Sequence, residues 1–410
     1  MGVLLASLLF ILGNLSADKP AITFEQLAQA AVASKQQAVQ QPANPQDQQK
    51  GSEANSQPSA DSFVKQDPQP EAPIVKGIYS TANSAGGAKL NSLIKLIDET
   101  DLNSIVIDLK DDFGYITFDT DNPKLKSYGS SKKIIPDIHQ LMDTLKQHNI
   151  YPIARIVAFK DTVLAKKRPD LSFVNPDGSL WNNGKKPNPD SFVNPYMQEV
   201  WEYNVEVAKE AAKLGFKEIQ FDYVRFPEGF EKKADKLKYS SDDRKRIQVV
   251  SDFVKYAREQ LNPLGVRTSV DIFGYAASVP AAEGIGQDFN AISKYVDVIC
   301  PMVYPSHYSA GWFGSKVPDT EPYKTINGAM IDTHKKLEAI GAYKPIIRPW
   351  IQDFTASWLP VHITYGKKEV EAQIRALEDN HIQQFLLWNA TNRYTPGVNY
   401  ERADQSRDKS

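Results

Sequence analysis

Beyond residue 73 the chain alternates between short apolar runs and longer segments of helical period. The short runs fall at 74–80, 104–110, 151–158, 218–225, 267–273, 296–303, 345–351 and 384–389, and each reads as a strand. Between them, 89–99, 136–148, 196–214, 242–261, 289–295, 323–340 and 367–380 read as helices. Helix ends are signalled where they belong: Asn194-Pro195 opens the third helix and Gly215 closes it. Strand and helix alternating in this way predict an α/β fold, a single (β/α)8 or TIM barrel. A doubly wound open sheet is the alternative, but no glycine-rich phosphate loop follows the first strand.

Within the strands a second period appears. Alternate side chains of a barrel strand face the lumen and the helix layer, so a correct phase collects polar residues on one side. In the fourth strand Gln220 and Asp222 share a phase, while Ile219, Phe221 and Tyr223 face the helices. The second strand sets Ser104, Asp108 and Lys110 against Ile105, Ile107 and Leu109. The fifth sets Ser269 and Asp271 against Val270 and Ile272, and the seventh puts Arg348, Trp350 and Gln352 together. Four strands thus direct polar groups inward near their C-terminal ends, where barrel enzymes build their sites. The plainer alternative is a set of lumen ion pairs, such as Asp108 with Lys110 or Asp222 with Arg155.

Upstream the pattern is different. Residues 3–15 are apolar and uncharged, the length of a signal-peptide core and short for a membrane span of ~20 residues. Residues 1–17 are therefore expected to be a signal peptide or an anchor that tethers the protein to the outer face of a membrane, and the protein to be exported. Residues 18–73, rich in Gln, Pro, Ala and Ser, have too few large apolar groups to form a core and read as a disordered spacer. The barrel occupies 74–396, and a polar tail follows from 397 to 410.

Bulk composition narrows the partners. With 48 basic and 50 acidic side chains, the net charge of -2 provides no footprint for nucleic acid. The single cysteine, Cys300, excludes an internal disulfide and a site of paired cysteines. Six histidines lack metal-ligand spacing, and His139, His148, His334 and His381 lie in or beside helices as surface residues. Asp108, Asp111 and Asp112 form a DxxDD run, but side chains along one strand end converge poorly on a cation. No metal or other cofactor is expected.

The chemistry then rests on carboxylates. Asp222 and Asp271 end neighbouring strands, which lie ~4.8 Å apart, so their carboxyl groups can reach the ~5 to 9 Å separation that glycosidic cleavage uses. One would act ionised as nucleophile or base, and the other, with its pKa raised by burial and proximity, as the acid. Asp108 stands on the same rim and competes for either role. Tyr79, Tyr304, Trp350 and Trp388 lie at strand ends, where flat rings can stack on sugars. Lys110, Arg155, Arg225, Arg348 and Gln352 complete the expected substrate-binding set, with Arg225 placed to keep a rim carboxylate ionised. Long loops at 159–194 and 304–322, carrying Trp181, Trp312 and Phe313, would wall the cleft. Within the first, SFVNP occurs twice, at 172–176 and 191–195.

Four motifs carry a resemblance: IDLKDDFG at 107–114, FDYVRFP at 221–227, SVDIFG at 269–274 and CPMVYPSHY at 300–308. Together they resemble a bacterial family of glycoside-hydrolase-like domains, long catalogued as a domain of unknown function and placed near the α-galactosidase-like barrels. The resemblance spans 74–394. It implies a TIM barrel acting on carbohydrate, with Asp222 as the fourth-strand nucleophile and Asp271 as the acid/base. In several relatives the acid comes from the sixth strand, where this chain offers only Asp297, at the opposite end. The expected function is hydrolysis of an envelope or extracellular polysaccharide, and the competing class is a non-catalytic carbohydrate-binding barrel.

Overall fold

The computed structural model describes residues 73–184, 189–341 and 343–401. The leader, nearly all of the spacer and most of the tail lie outside them. Nine strand segments make eight staves: β1 (Lys76–Ser80), β2 (Ser104–Lys110), β3 (Tyr151–Val157), β4 (Glu218–Asp222), β5 (Arg267–Phe273), β6 (Val298–Met302), β7 (Ile346–Ile347) with β8 (Trp350–Gln352), and β9 (Phe385–Trp388). All pairings are parallel, and the ring is closed by β5 on β6 and by β9 on β1. The seventh stave is split at Arg348-Pro349, where proline has no N–H to donate. Pairing nonetheless continues, because Arg348 N–H donates to Ile299 and the Pro349 carbonyl accepts from Leu386 N–H. This is a closed (β/α)8 barrel.

Seven crossover helices cover the outside among the described residues: α1 (Lys89–Asp98), α2 (Ile138–Gln147), α3 (Gln198–Leu214), α4 (Arg246–Leu261), α5 (Phe289–Ser293), α6 (Pro322–Glu338) and α7 (Lys367–Asp379). In α3 the buried residues Val200, Tyr203, Asn204, Val207, Ala208 and Ala211 recur at three- and four-residue steps, and Gly215 ends the helix in the left-handed region at φ 100°. Asn194-Pro195 opens a turn three residues before the helix proper. No helix among the described residues is long and apolar enough to cross a membrane.

Two separate apolar clusters report the strand phase. The outer one joins the helices to Ile105, Ile107, Ile219, Phe221, Val270 and Ile272. The lumen cluster contains Tyr79, Val106, Ile153, Val298, Cys300, Tyr304, Trp350 and Leu386. The split matches the inward and outward sets read from alternation, with two exceptions. A register shift between Asp108 and Lys110 sets Lys110 opposite Ile156, on the helix side. And β4 ends at Asp222 rather than at Arg225, because Tyr223 takes φ 51° and leaves the ladder.

Candidate active site

Arg155, on the lumen face of β3 and 1% exposed, organises the barrel mouth. Its Nη1 donates to Asp108 Oδ1 at 2.6 Å, and its Nη2 to Asp112 Oδ1 at 3.0 Å. Its Nε and Nη2 donate to Asp222 Oδ2 at 3.0 and 2.6 Å. One guanidinium therefore meets three carboxylates, an arrangement suited to its rigid fork of donors. The second Asp108 oxygen accepts from the Tyr79 hydroxyl at 2.5 Å. The Tyr79 ring in turn stacks on Trp388 at 4.2 Å, and the guanidinium lies 5.8 and 5.7 Å from the two rings.

Asp222 is tied down on both oxygens, since Oδ1 accepts the Tyr223 N–H at 2.6 Å. Tyr223 itself is left-handed at φ 51°, a conformation that costs a bulky residue on the order of 1–3 kcal/mol. The turn also moves Tyr223 from its expected place in the helix layer to the mouth. There Lys160 lies 4.7 Å from its ring and Arg225 4.9 Å.

Asp271, 2% exposed, has very different surroundings. Its Oδ1 accepts from Trp350 Nε1 at 2.7 Å, and Oδ2 has no partner among the described residues. Burial, together with the negative charge of Asp222, pushes its pKa well above the usual carboxylate range. Asp108 is raised to about 6, by burial and by Asp112, against the opposing pull of Arg155 and the Tyr79 hydrogen bond. Burial works against ionisation of Asp112 too, but Lys160 and Arg155 outweigh it and hold that carboxyl below its ordinary value.

The structure thus brings together Asp222, Asp271, Asp108, Arg155, Tyr79, Tyr304, Trp350 and Trp388. Three other candidates, Lys110, Arg348 and Gln352, are elsewhere, and Arg225 stands at the rim without meeting a rim carboxylate. Lys110, turned outward by the bulge, pairs with Asp161 at 2.7 Å and donates to Asn204 of α3, so of the two lumen pairs in the plainer alternative Asp108–Lys110 does not form, whereas Asp222–Arg155 does. Gly114, at φ 100°, passes so close to Asp161 that an added Cβ would lie 1.9 Å from its carboxylate. Arg348 is at the opposite, N-terminal end of the lumen, bound to Glu218 at 2.7 and 2.8 Å and to Gln384. Gln352 is buried beneath the loops, bonded to Ser306 N–H and Asp319. Arg225 pairs with Glu228 at 3.2 Å rather than with a rim carboxylate, and its guanidinium lies between the rings of Tyr223 and Phe273.

The acidic run does not converge. Asp111 accepts the N–H groups of Phe113, Gly114 and Tyr115 in a tight turn, while Asp108 and Asp112 share Arg155. Among the described residues no group of three acidic, histidine or cysteine side chains is arranged to hold a metal ion. Asp297, bonded to Arg258 and to the Thr268 N–H, lies at the end of the barrel away from the mouth.

Several mouth residues escaped sequence reasoning. Asp112 was visible only as part of an acidic run, and Lys160, paired with Asp190 at 3.5 Å, carried no pattern at all. His307, Phe354 and Trp358 follow strand ends in loops, where alternation has no meaning. The doubled SFVNP does have a structural use: Ser172 bridges Val193 in antiparallel fashion, and Ser172 Oγ donates to Phe192, so one copy lies against the other. Trp181 is buried between Phe173 and Phe192 within this loop layer and does not line an open cleft.

This architecture agrees with what the chain is similar to. Residues 77–394 match a family model described as "Putative glycosyl hydrolase domain". The chain belongs to this family. Glycosyl hydrolysis is the reaction class that this family's description names, and carbohydrate the substrate class that goes with it. No curated protein matches it. Among solved structures, a hypothetical protein from Ruminiclostridium thermocellum ATCC 27405 is 33% identical, with 47% of this chain and 96% of that chain covered and a TM-score of 0.42. An alpha-galactosidase from Thermus thermophilus is 11% identical over 80% of this chain and 61% of its own, with a TM-score of 0.49. A beta-galactosidase from the psychrophilic Marinomonas ef1 is 11% identical over 77% and 54%, with a TM-score of 0.54. At that identity the last comparison speaks to the shared barrel fold alone.

Proposed function

We propose that this glycosyl hydrolase cleaves a polysaccharide of the cell envelope or extracellular matrix by a two-carboxylate mechanism, with Asp222 as nucleophile and Asp271 as acid/base. The observation that carries the proposal is the opposite environment of two aspartates on adjacent strands. Asp222 is paired with a guanidinium, whereas Asp271 is buried, partnered by one indole N–H and driven toward its protonated form. Asp222 attacks the anomeric carbon as the glycosidic C–O bond breaks, and Asp271 delivers its proton to the leaving oxygen. The Asp271 carboxylate then takes a proton from the water that hydrolyses the glycosyl ester. Arg155 orients Asp222 and Asp108, and the partly exposed Trp388 ring, backed by the buried Tyr79, offers a flat apolar surface beside them. The apolar run at 3–15 favours export, with the run either removed or kept as a tether.

Carbohydrate binding without turnover is the competing reading, and one observation favours it: both Asp222 oxygens already accept hydrogen bonds. The purified full chain decides between them when incubated with envelope and extracellular polysaccharides. The proposal expects Asp222→Asn and Asp271→Asn each to reduce reducing-end release by about 10²–10⁴-fold. Rates unchanged in both variants would sink the assignment of roles. Binding by the wild type with no turnover on any polysaccharide would instead establish the binding barrel.

A further inference from the structure

We propose that a row of aromatic rings on the β6–β9 side of the mouth is a track for sugar units beyond the one that is cleaved, so that the substrate is held as a chain. The inference rests on the glycosidase reading only for where the cleaved unit sits. From Trp388, stacked above the Asp108–Arg155 centre, the row runs to Tyr304 at 6.4 Å, to Phe354 at 5.9 Å and to Trp358 at 5.8 Å. His307 lies within it, 5.1 Å from Tyr304, 6.4 Å from Phe354 and 6.5 Å from Trp358.

Three features indicate what occupies this surface. First, Trp388, Phe354 and Trp358 are only partly buried, so large rings that could have been packed inward keep area facing solvent on either side of the buried Tyr304 that joins them. Second, the row is uncharged. The rings of Tyr304, Phe354 and Trp358 packed around His307 keep water from its imidazole and lower its pKa to about 4, leaving it neutral near pH 7. Its Nδ1 shares a hydrogen bond with Ser306 Oγ, and Nε2 has no partner among the described residues. Apolar ring faces with an occasional neutral hydrogen-bonding tip suit the C–H faces and hydroxyls of uncharged sugar units better than a charged peptide. The opposite rim differs, since Lys160 and Arg225 cover the Tyr223 ring there.

Third, the track is held in place before any ligand arrives. Tyr304 and Trp388 sit at strand ends. The loop bearing Phe354 and Trp358 is pinned by Gln352 on Ser306 and Asp319, by Asp353 accepting from Thr395, and by the Tyr365 hydroxyl on the Asp319 carbonyl. A surface ordered in advance loses little entropy when it binds.

Affinity electrophoresis of the full chain carrying Asp222→Asn tests this, in native gels containing hydroxyethylcellulose, glycol chitin, galactomannan or soluble starch. Retardation is expected in at least one gel. Phe354→Ala with Trp358→Ala should weaken it about tenfold, and Trp358→Phe, which keeps a stacking ring, should retain most of it. If the double variant does not fold, Trp358→Ser alone is read in the same way. Retardation in no gel, or undiminished retardation of a folded variant, overturns the track. A chain that hydrolyses aryl monoglycosides but is never retarded keeps the glycosidase and loses the track. A retarded chain whose wild type releases no reducing ends keeps the track and loses the glycosidase.

Discussion

Asp222 and Asp271 are the same side chain at the same height on neighbouring strands, and their neighbours alone make them different. For Asp222 the deciding group is Arg155, which supplies two N–H donors to one oxygen. For Asp271 it is the apolar lumen, with the Trp350 indole as its one donor among the described residues. That single hydrogen bond favours the ionised form and so opposes the effect of burial. Trp350→Phe removes it while keeping an aromatic ring in place. The Asp271 pKa should therefore rise further, and the alkaline limb of kcat/KM should move to higher pH, with kcat falling by up to about tenfold. A pH–rate profile checks this, and a limb that stays put or moves down would show that Asp271 is not the group that must be protonated.

At the scale of elements, alternation revealed which face of each strand looks inward, but not where a strand stops being regular or how deep a residue lies. Ile105, Ile107, Ile219, Phe221, Val270 and Ile272 all pack toward the helices as their phase predicts. Arg348, Trp350 and Gln352 share a phase, yet Arg348 lies at the lumen floor, Trp350 beside Asp271 and Gln352 under the loops. Depth is set by barrel register, which a single strand does not carry. The bulge at Lys110 and the left-handed Tyr223 are backbone departures at residues that do not announce them, since neither is glycine. The bulge has a testable consequence. Lys110 and Asp161 are both fully buried, so removing one partner strands a charge in the helix layer. Lys110→Met should lower the unfolding free energy by about 3–5 kcal/mol, and adding Asp161→Asn, which removes the charge but keeps an oxygen for the Leu164 N–H, should recover part of it. Urea denaturation reads the first effect. Turnover per folded molecule should change less than twofold, whereas a substrate-binding lysine would raise KM.

Across the whole molecule the lumen is divided into two ionic layers by an apolar middle of Val106, Ile153, Val298, Cys300 and Leu386. In the floor layer charges match: the two Glu218 oxygens meet Arg348. In the mouth layer carboxylates outnumber the cations beside them: Asp108, Asp112 and Asp222 share Arg155, Lys160 adds its charge near Asp112, and Asp271 accepts a hydrogen bond only from the Trp350 indole. A site that keeps a buried carboxyl protonated for catalysis does so against the stability of the fold. Unfolded, Asp271 ionises at the ordinary carboxylate pKa, whereas folded it holds its proton to a much higher pH. Between those two values the folded state binds the extra proton, so each rise in pH favours unfolding, by up to about 1.4 kcal/mol per pH unit. The contribution is complete below the unfolded pKa and is lost as pH rises toward the folded one. Asp271→Asn removes the titration while retaining a carbonyl oxygen to accept the Trp350 N–H. The variant should then be strongly impaired in turnover yet more stable than the wild type at pH 7, with the difference in Tm shrinking as pH is lowered toward 4. Thermal unfolding of both proteins over that range measures it. A Tm difference independent of pH would mean that Asp271 ionises in the folded barrel as readily as in water, and the acid would have to be sought at Asp108.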